Sequence, residues 1–331
     1  MKKIRIIETA ACFLLAGVFC ALSVFYAFPA LKEKTSASSP RAGIVRLWNI
    51  DTFEGGKGSR TSFLNRVSAS YEKAHPGVYV MVSSYTAEGA AAAFAEGNYP
   101  DMISFGVGFS EAAEKCLKIN GRNFPGGTVG GECRAIPWCK GGYAVFCLED
   151  AFEEIKAENT VVSLGGNNLP LVAAAFLQPG NNVVAEESTT AYVRFLNGKY
   201  KYLLGTQRDV CRFAAREVNV YMKPLAEFSD LYQYIAVLTE DKEEKRICDE
   251  YVESLLNEKN QKKLTEIGMF SPIYDIYTAD DALADEMEKI NARYTLNVFT
   301  SPSGLKEANE AAKNSLSVGN TEVLKNFLKA I

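Results

Sequence analysis

Residues 44–109 predict an α/β fold organised on a parallel sheet. Apolar runs alternate with helical patterns in the order β-α-β-α-β within this stretch. The connections are long enough to be helical crossovers, which forces parallel strands and right-handed links. Gly or Pro also marks most of the joints, where a turn or a stop is needed.

The first strand is Ile44–Ile50, and a Gly-rich turn follows at Asp51–Gly58. Phe63, Leu64, Val67 and Tyr71 then recur near a 3.6-residue period, the pattern of a helix with one apolar face. His75-Pro76-Gly77 stops that helix, because Pro lacks an N–H and Gly turns freely. The second strand is Val78–Val82, the Ala-rich stretch Ala87–Glu96 reads as a helix, and Asp101–Phe105 is the third strand. Ligands of parallel sheets sit at the carboxyl ends of the strands. Those ends are Trp48–Glu54, Ser83–Tyr85 and Ser104–Gly108.

Composition narrows the function. Hydrophobic residues make up 47% and charged residues 23%, which suits a globular protein. Net charge is −4, and without residues 1–40 the balance of 31 basic and 38 acidic residues gives −7. A mildly acidic body with no basic cluster argues against nucleic-acid binding. The one histidine, His75, lies in a turn, and no G-x-S-x-G, Walker A or H-E-x-x-H pattern occurs. Gly55-Gly56-Lys57-Gly58 lacks the phosphate-loop spacing. Glu153-Glu154 and Asp280-Asp281 read as solvated helix faces. Neither an enzyme nor a cofactor or metal is expected. The six cysteines from Cys116 to Cys248 match no zinc spacing and are read as buried thiols or as one or two disulfides.

Lys2, Lys3 and Arg5 precede an uncharged run from Thr9 to Leu31, 23 residues long. That is enough to span a bilayer, and the basic flank keeps the N-terminus inside. Residues 1–31 are therefore expected to be an N-terminal membrane anchor or a signal sequence, and 32–42 a flexible tether. The body is expected outside the cell or in the periplasm.

Several blocks then resemble a known family. Tyr71-Glu-Lys-Ala-His-Pro-Gly-Val78 and Phe94-Ala-Glu-Gly-Asn-Tyr-Pro-Asp101, followed by an apolar strand, look like the extracellular solute-binding proteins of bacterial ATP-driven (ABC) importers, the maltose-binding-like group. Ala191–Asp209 resembles that family's helix, turn, strand and binding loop. The resemblance implies a two-lobe, type II periplasmic-binding-protein-like fold with three interlobe crossings. These fall at Gly141-Gly142, before Leu231–Val237, and at Phe270–Ile273. Lobe one would hold 44–138 and 230–270, and lobe two 143–225 and 271–331.

For the remaining chain the pattern predicts helices at Ala112–Asn120, from Glu149, at Leu169–Gln178, at Asp241–Asn257 and beyond Thr278, and a strand at Val218–Met222.

The expected ligand is a small solute, a sugar or related polar molecule, passed to permease subunits of an importer. A membrane-tethered sensor with the same fold is the second reading. A sugar cleft wants aromatic faces and a few orienting polar groups. Trp48, Tyr85, Phe105 and Trp138 supply the aromatics, and Asp51, Glu54 and Lys57 the first polar loop. The resemblance places Gln207, Arg208 and Asp209 in the facing loop of lobe two, where many sugar binders carry Trp and this chain has none.

Overall fold

The computed structural model describes residues 15–19, 21–22 and 43–330, except 123, 151, 153–154, 167, 178–182, 274, 278–281 and 289–291. The tether, Thr278 and the two acidic pairs at 153–154 and 280–281 lie outside the described residues, as does most of the N-terminal apolar run. Among the described residues no helix is long and apolar enough to cross a membrane.

The first unit follows the sequence closely. β1 (Gly43–Ile50) leads through the turn to α1 (Arg60–Ala74), then β2 (Val78–Tyr85), α2 (Ala87–Ala95) and β3 (Met102–Phe105). Ser59 caps α1 by accepting from the Ser62 N–H, and the chain leaves after His75 through Gly77 at φ +95°. β1 pairs in parallel with β2 and β3. Phe63, Leu64, Val67 and Tyr71 of α1 are buried on one face of this sheet, and Ala90 and Phe94 of α2 on the other.

A small hairpin, β4 (Thr128–Val129) and β5 (Glu132–Cys133), precedes β6 (Ile136–Lys140). The expected helix at Ala112–Asn120 is only a 3-10 turn at Ser110–Ala112. Backbone pairing elsewhere takes its groups: the Leu117 N–H donates to Val237 O and the Ile119 N–H to Cys133 O.

Gly141-Gly142 carries the chain into a second sheet. Its members are β7 (Tyr143–Cys147), β8 (Thr160–Leu164), β9 (Val184–Glu187), β10 (Tyr202–Thr206) and β11 (Tyr221–Pro224). No α-helix is seen among the described residues between Glu149 and β8. The helices here are α3 (Pro170–Leu177), α4 (Ser188–Leu196) and α5 (Gln207–Ala215). The strand expected at Val218–Met222 starts three residues later.

The chain then returns to the first sheet as β12 (Tyr232–Val237) and continues through α6 (Lys242–Leu255) and α7 (Glu258–Gln261). A 3-10 stretch at Lys262–Ile267 ends on Gly268. α8 (Ala282–Glu288), α9 (Pro302–Val318) and α10 (Glu322–Ala330) complete it. The sheet orders are β2-β1-β3-β12-β6 and β11-β7-β10-β8-β9. β12 runs antiparallel to β3 and β6, and β7 antiparallel to β10 and β11. α9 packs on α3, so the C-terminal helices belong with the second sheet.

Candidate functional site: the cleft between the two sheets

The loop after β1 reaches across to the second lobe. Its base is a buried polar lattice. Asn49 Nδ2 donates to Asp51 Oδ1 and Thr61 Oγ1, both at 3.0 Å, while Ser104 Oγ donates to Asn49 Oδ1 at 2.9 Å. Gln233 Nε2 donates to Ser104 Oγ and to Ile50 O, each at 3.0 Å. Arg60, 2% exposed, donates from Nε to Asp51 Oδ1 at 2.7 Å and lies over the Phe53 ring at 4.1 Å. Its second guanidinium nitrogen donates to Phe53 O. Lys57 N–H and Gly58 N–H both donate to Ile267 O. A Cβ on Gly56 would lie 2.2 Å from Gly268 O, so this crossing of two backbones admits only glycine.

On the facing lobe, β10 runs directly into α5. Gln207, Arg208 and Asp209, expected in a loop, form the first turn of that helix instead. The cause is a capping box: Thr206 accepts from the first-turn N–H groups, and Asp209 accepts the Thr206 N–H at 3.0 Å. Asp209 is buried, which pushes its carboxyl above the usual range, and Arg212 donates to it at 3.1 Å. Gln207 is wholly buried: its Nε2 donates to Glu54 O and its Oε1 accepts the Gly142 N–H, both at 3.1 Å. Arg208 forms an ion pair with the Glu54 carboxylate across the cleft.

The structure therefore brings Asp51, Glu54, Gln207, Arg208 and Asp209 into one neighbourhood. Lys57 is exposed and lines a separate cavity of ≈ 520 Å³ with Cys211 and Phe270. The aromatics are placed differently. Trp138 has no exposed surface, stacks on Phe63 at 5.7 Å between centroids and donates its indole N–H to Ser104 Oγ at 3.0 Å. Phe105 is equally buried, against Phe109 and Phe299. Trp48, 3% exposed, stacks at 4.1 Å under Tyr85, which keeps part of its surface accessible. Side chains alternate along a strand, and Trp48 falls on the α2 side, where packing claims it.

A groove of ≈ 470 Å³ opens at the start of α2. Glu88, Phe109 and Glu111 line it from the first lobe, Asn168, Leu305 and Lys306 from the second. None of these was picked out from the sequence. They sit on loops and first helical turns far apart in the chain, with no local motif to flag them. Asn168 extends inward, donating to Tyr143 Oη at 3.1 Å. Tyr143 in turn donates to Asp230 Oδ1 at 2.8 Å. Among the described residues no His, Cys, Asp and Glu cluster suits a metal.

Two α/β lobes meeting over a cleft at their strand ends define the periplasmic-binding-protein-like fold. Within that class the chain resembles the maltose-binding-like solute-binding proteins. The sugar-binding protein MalE of Xanthomonas citri matches with a TM-score of 0.63, at 14% identity, over 87% of this chain and 96% of that one. The cyclic alpha-maltosyl-1,6-maltose binding protein of Arthrobacter globiformis matches at 0.59, 12% identity, 87% and 98% coverage. The GacH receptor of Streptomyces glaucescens, solved unliganded and with acarbose, matches at 0.58, 14% identity, 87% and 97% coverage. No protein-family model matches the sequence, and a search of the curated proteins found no match.

Proposed function

We propose that this protein is an extracellular solute receptor that captures a sugar or related polar molecule by hinge closure and delivers it to the permease subunits of an ABC importer. The observation that carries the reading is the cross-lobe contact of Glu54 with Gln207 and Arg208. A receptor of this kind needs polar groups on both lobes that meet only when the lobes close, so that ligand binding and closure are linked. Gly141-Gly142 is the proposed hinge segment. Residues 44–138 with 230–270, and 143–225 with 271–331, would move as the two bodies, and the chain would pass between them three times. Asp51, Glu54, Gln207, Arg208 and Asp209 are proposed to make or support the polar contacts. Tyr85 is the one aromatic of the sequence reading that keeps surface to offer a sugar ring. The N-terminal apolar run would hold the receptor at the membrane. Neither catalysis nor a cofactor enters this reading.

The test is to unfold purified protein, identify any released small molecule, and record thermal shifts over a broad panel of sugars and polyols. A saturable shift with one solute class is expected. A blank across the whole panel, with no released ligand, overturns the proposal.

A further inference from the structure

Arg208 has one ion-pair partner among the described residues, and that partner, Glu54, stands on the opposite lobe. The neighbouring charges are already committed. Arg212 donates to Asp209 Oδ1 at 3.1 Å and to Ser188 Oγ at 3.3 Å. The other Asp209 oxygen takes the Thr206 N–H.

The Glu54 carboxylate rests in a recess between Ser163, Gly165, Ser188, Thr206, Asp209 and Arg212, with ≈ 10 Å³ of space left. That is no more than a single water requires. A Cβ on Gly165 would stand 2.9 Å from Glu54 Oε2. Glycine is thus what makes room for a carboxylate here. At the rim, Asn168 Oδ1 is buried and has no hydrogen-bond partner. Asn168 also lines the ≈ 470 Å³ groove, so it stands between the recess and the groove.

We propose that Arg208 and this glycine-floored recess recognise a carboxylate on the solute, that Glu54 is a tethered stand-in for it in the empty protein, and that the solute is an acidic saccharide of the uronate class. The inference rests on the receptor reading above. Opening the lobes takes Glu54 away from Arg208 and leaves a guanidinium with no committed carboxylate on its own lobe. A uronate carboxylate restores that charge-assisted pair, and its planar oxygens suit the guanidinium fork. A neutral sugar offers only hydroxyls there. The sugar ring would extend from the recess past Asn168 into the groove toward Lys306. Glu54 then acts as an intramolecular competitor, and its removal should favour acidic ligands relative to neutral ones.

The experiment uses the full-length protein with trimers of galacturonate, glucuronate and mannuronate, their methyl esters and maltotriose, measured by calorimetry and thermal shift. An acid should bind roughly tenfold more tightly than its ester, the size of one charge-assisted hydrogen bond. Glu54→Gln should raise the preference for acid over ester several-fold, whatever it does to both through lobe closure. Arg208→Gln should erase the preference for acid over ester. Binding of maltotriose or the esters without the acids overturns this inference and leaves the receptor reading standing. Uniform weakening of every ligand by Glu54→Gln also overturns it, because Glu54 would then be a direct hydroxyl acceptor. No binding of any saccharide, acidic or neutral, removes the receptor reading and the inference together.

Discussion

Asp230 offers the sharpest test of the cleft's internal wiring. It lies in the return passage between β11 and β12 and is 1% exposed. One carboxylate oxygen accepts from Tyr143 Oη and the other from the Leu169 N–H, both at 2.8 Å. These donors favour the charged form, yet burial outweighs them and raises its pKa from 3.8 to about 6. A carboxyl whose folded pKa is raised stabilises the fold below its unfolded pKa. That contribution is lost as pH climbs through the folded pKa. The shift of about two units corresponds to about 3 kcal/mol lost between pH 4 and pH 7. Asp230→Asn removes the titration. It also adds a pH-independent penalty, because one amide oxygen cannot serve both donors and the NH2 group faces the other. That penalty is about 1–3 kcal/mol. The variant should therefore be less stable than wild type at pH 4 and equal or more stable at pH 7.5. Urea unfolding of both proteins at several pH values, compared as a difference, cancels the other carboxylates. A pH-independent difference, or one growing toward alkaline pH, would refute the burial argument.

Two further outcomes follow from packing. Gly56→Ala should destabilise by about 1–3 kcal/mol and weaken solute binding, because its Cβ drives the loop off Gly268; Gly55→Ala, whose nearest contact is 3.2 Å, should be much milder in the same urea titration. Peptide mapping after thiol labelling of native protein should show Cys211 modified first, though more slowly than a free cysteine, since burial raises its pKa too. Cys116, pushed up to about 12, and Cys139 and Cys248, pushed higher still, should stay protected until denaturant is added.

The first unit was legible because its signals are local. A 3.6 period, Pro-Gly stops and alternating strands describe the same elements that the backbone then forms. Asp101, at the head of the third strand, accepts the Arg46 N–H at 2.7 Å. The second sheet was harder. β8 is only five residues, although its Thr-Val-Val start is β-branched, and β9 ends in two glutamates, so neither shows clean alternation. The start of α5 was legible in principle, since Thr206 and Asp209 carry the spacing of a capping box. The aromatics show where strand-end reasoning stops. Whether Trp48, Phe105 or Trp138 faces a cleft or a helix depends on which element covers that side of the sheet. That is set by α2, Phe299 and α1, which lie elsewhere in the chain. Arg60 was invisible for the same reason: a guanidinium 2% exposed is tolerated only because Asp51, Phe53 O and the Phe53 ring converge on it.

Gln207 ties these observations into a statement about motion. Its amide joins the proposed hinge at Gly142 to the lobe-one loop at Glu54. A Cβ on Gly141 would lie 2.3 Å from Gln207 Oε1, so a side chain there would displace the amide. Opening must break the bond to Glu54 O, the Glu54–Arg208 pair and the weak contact of Gln207 Nε2 with Met269 Sδ at 3.8 Å, while the bond to Gly142 stays within its own unit. A neutral hydrogen bond contributes about 1 kcal/mol net and a partly exposed ion pair about 0.5–1 kcal/mol. Together they contribute about 2 kcal/mol toward the closed form, roughly thirtyfold in the closed-to-open ratio relative to a protein without them. The empty wild type should then scatter X-rays as a compact particle, and Glu54→Ala should show a larger radius of gyration that saccharide binding reverses. Identical curves for the empty wild type and the variant would mean that the lobes are held by something other than these two contacts.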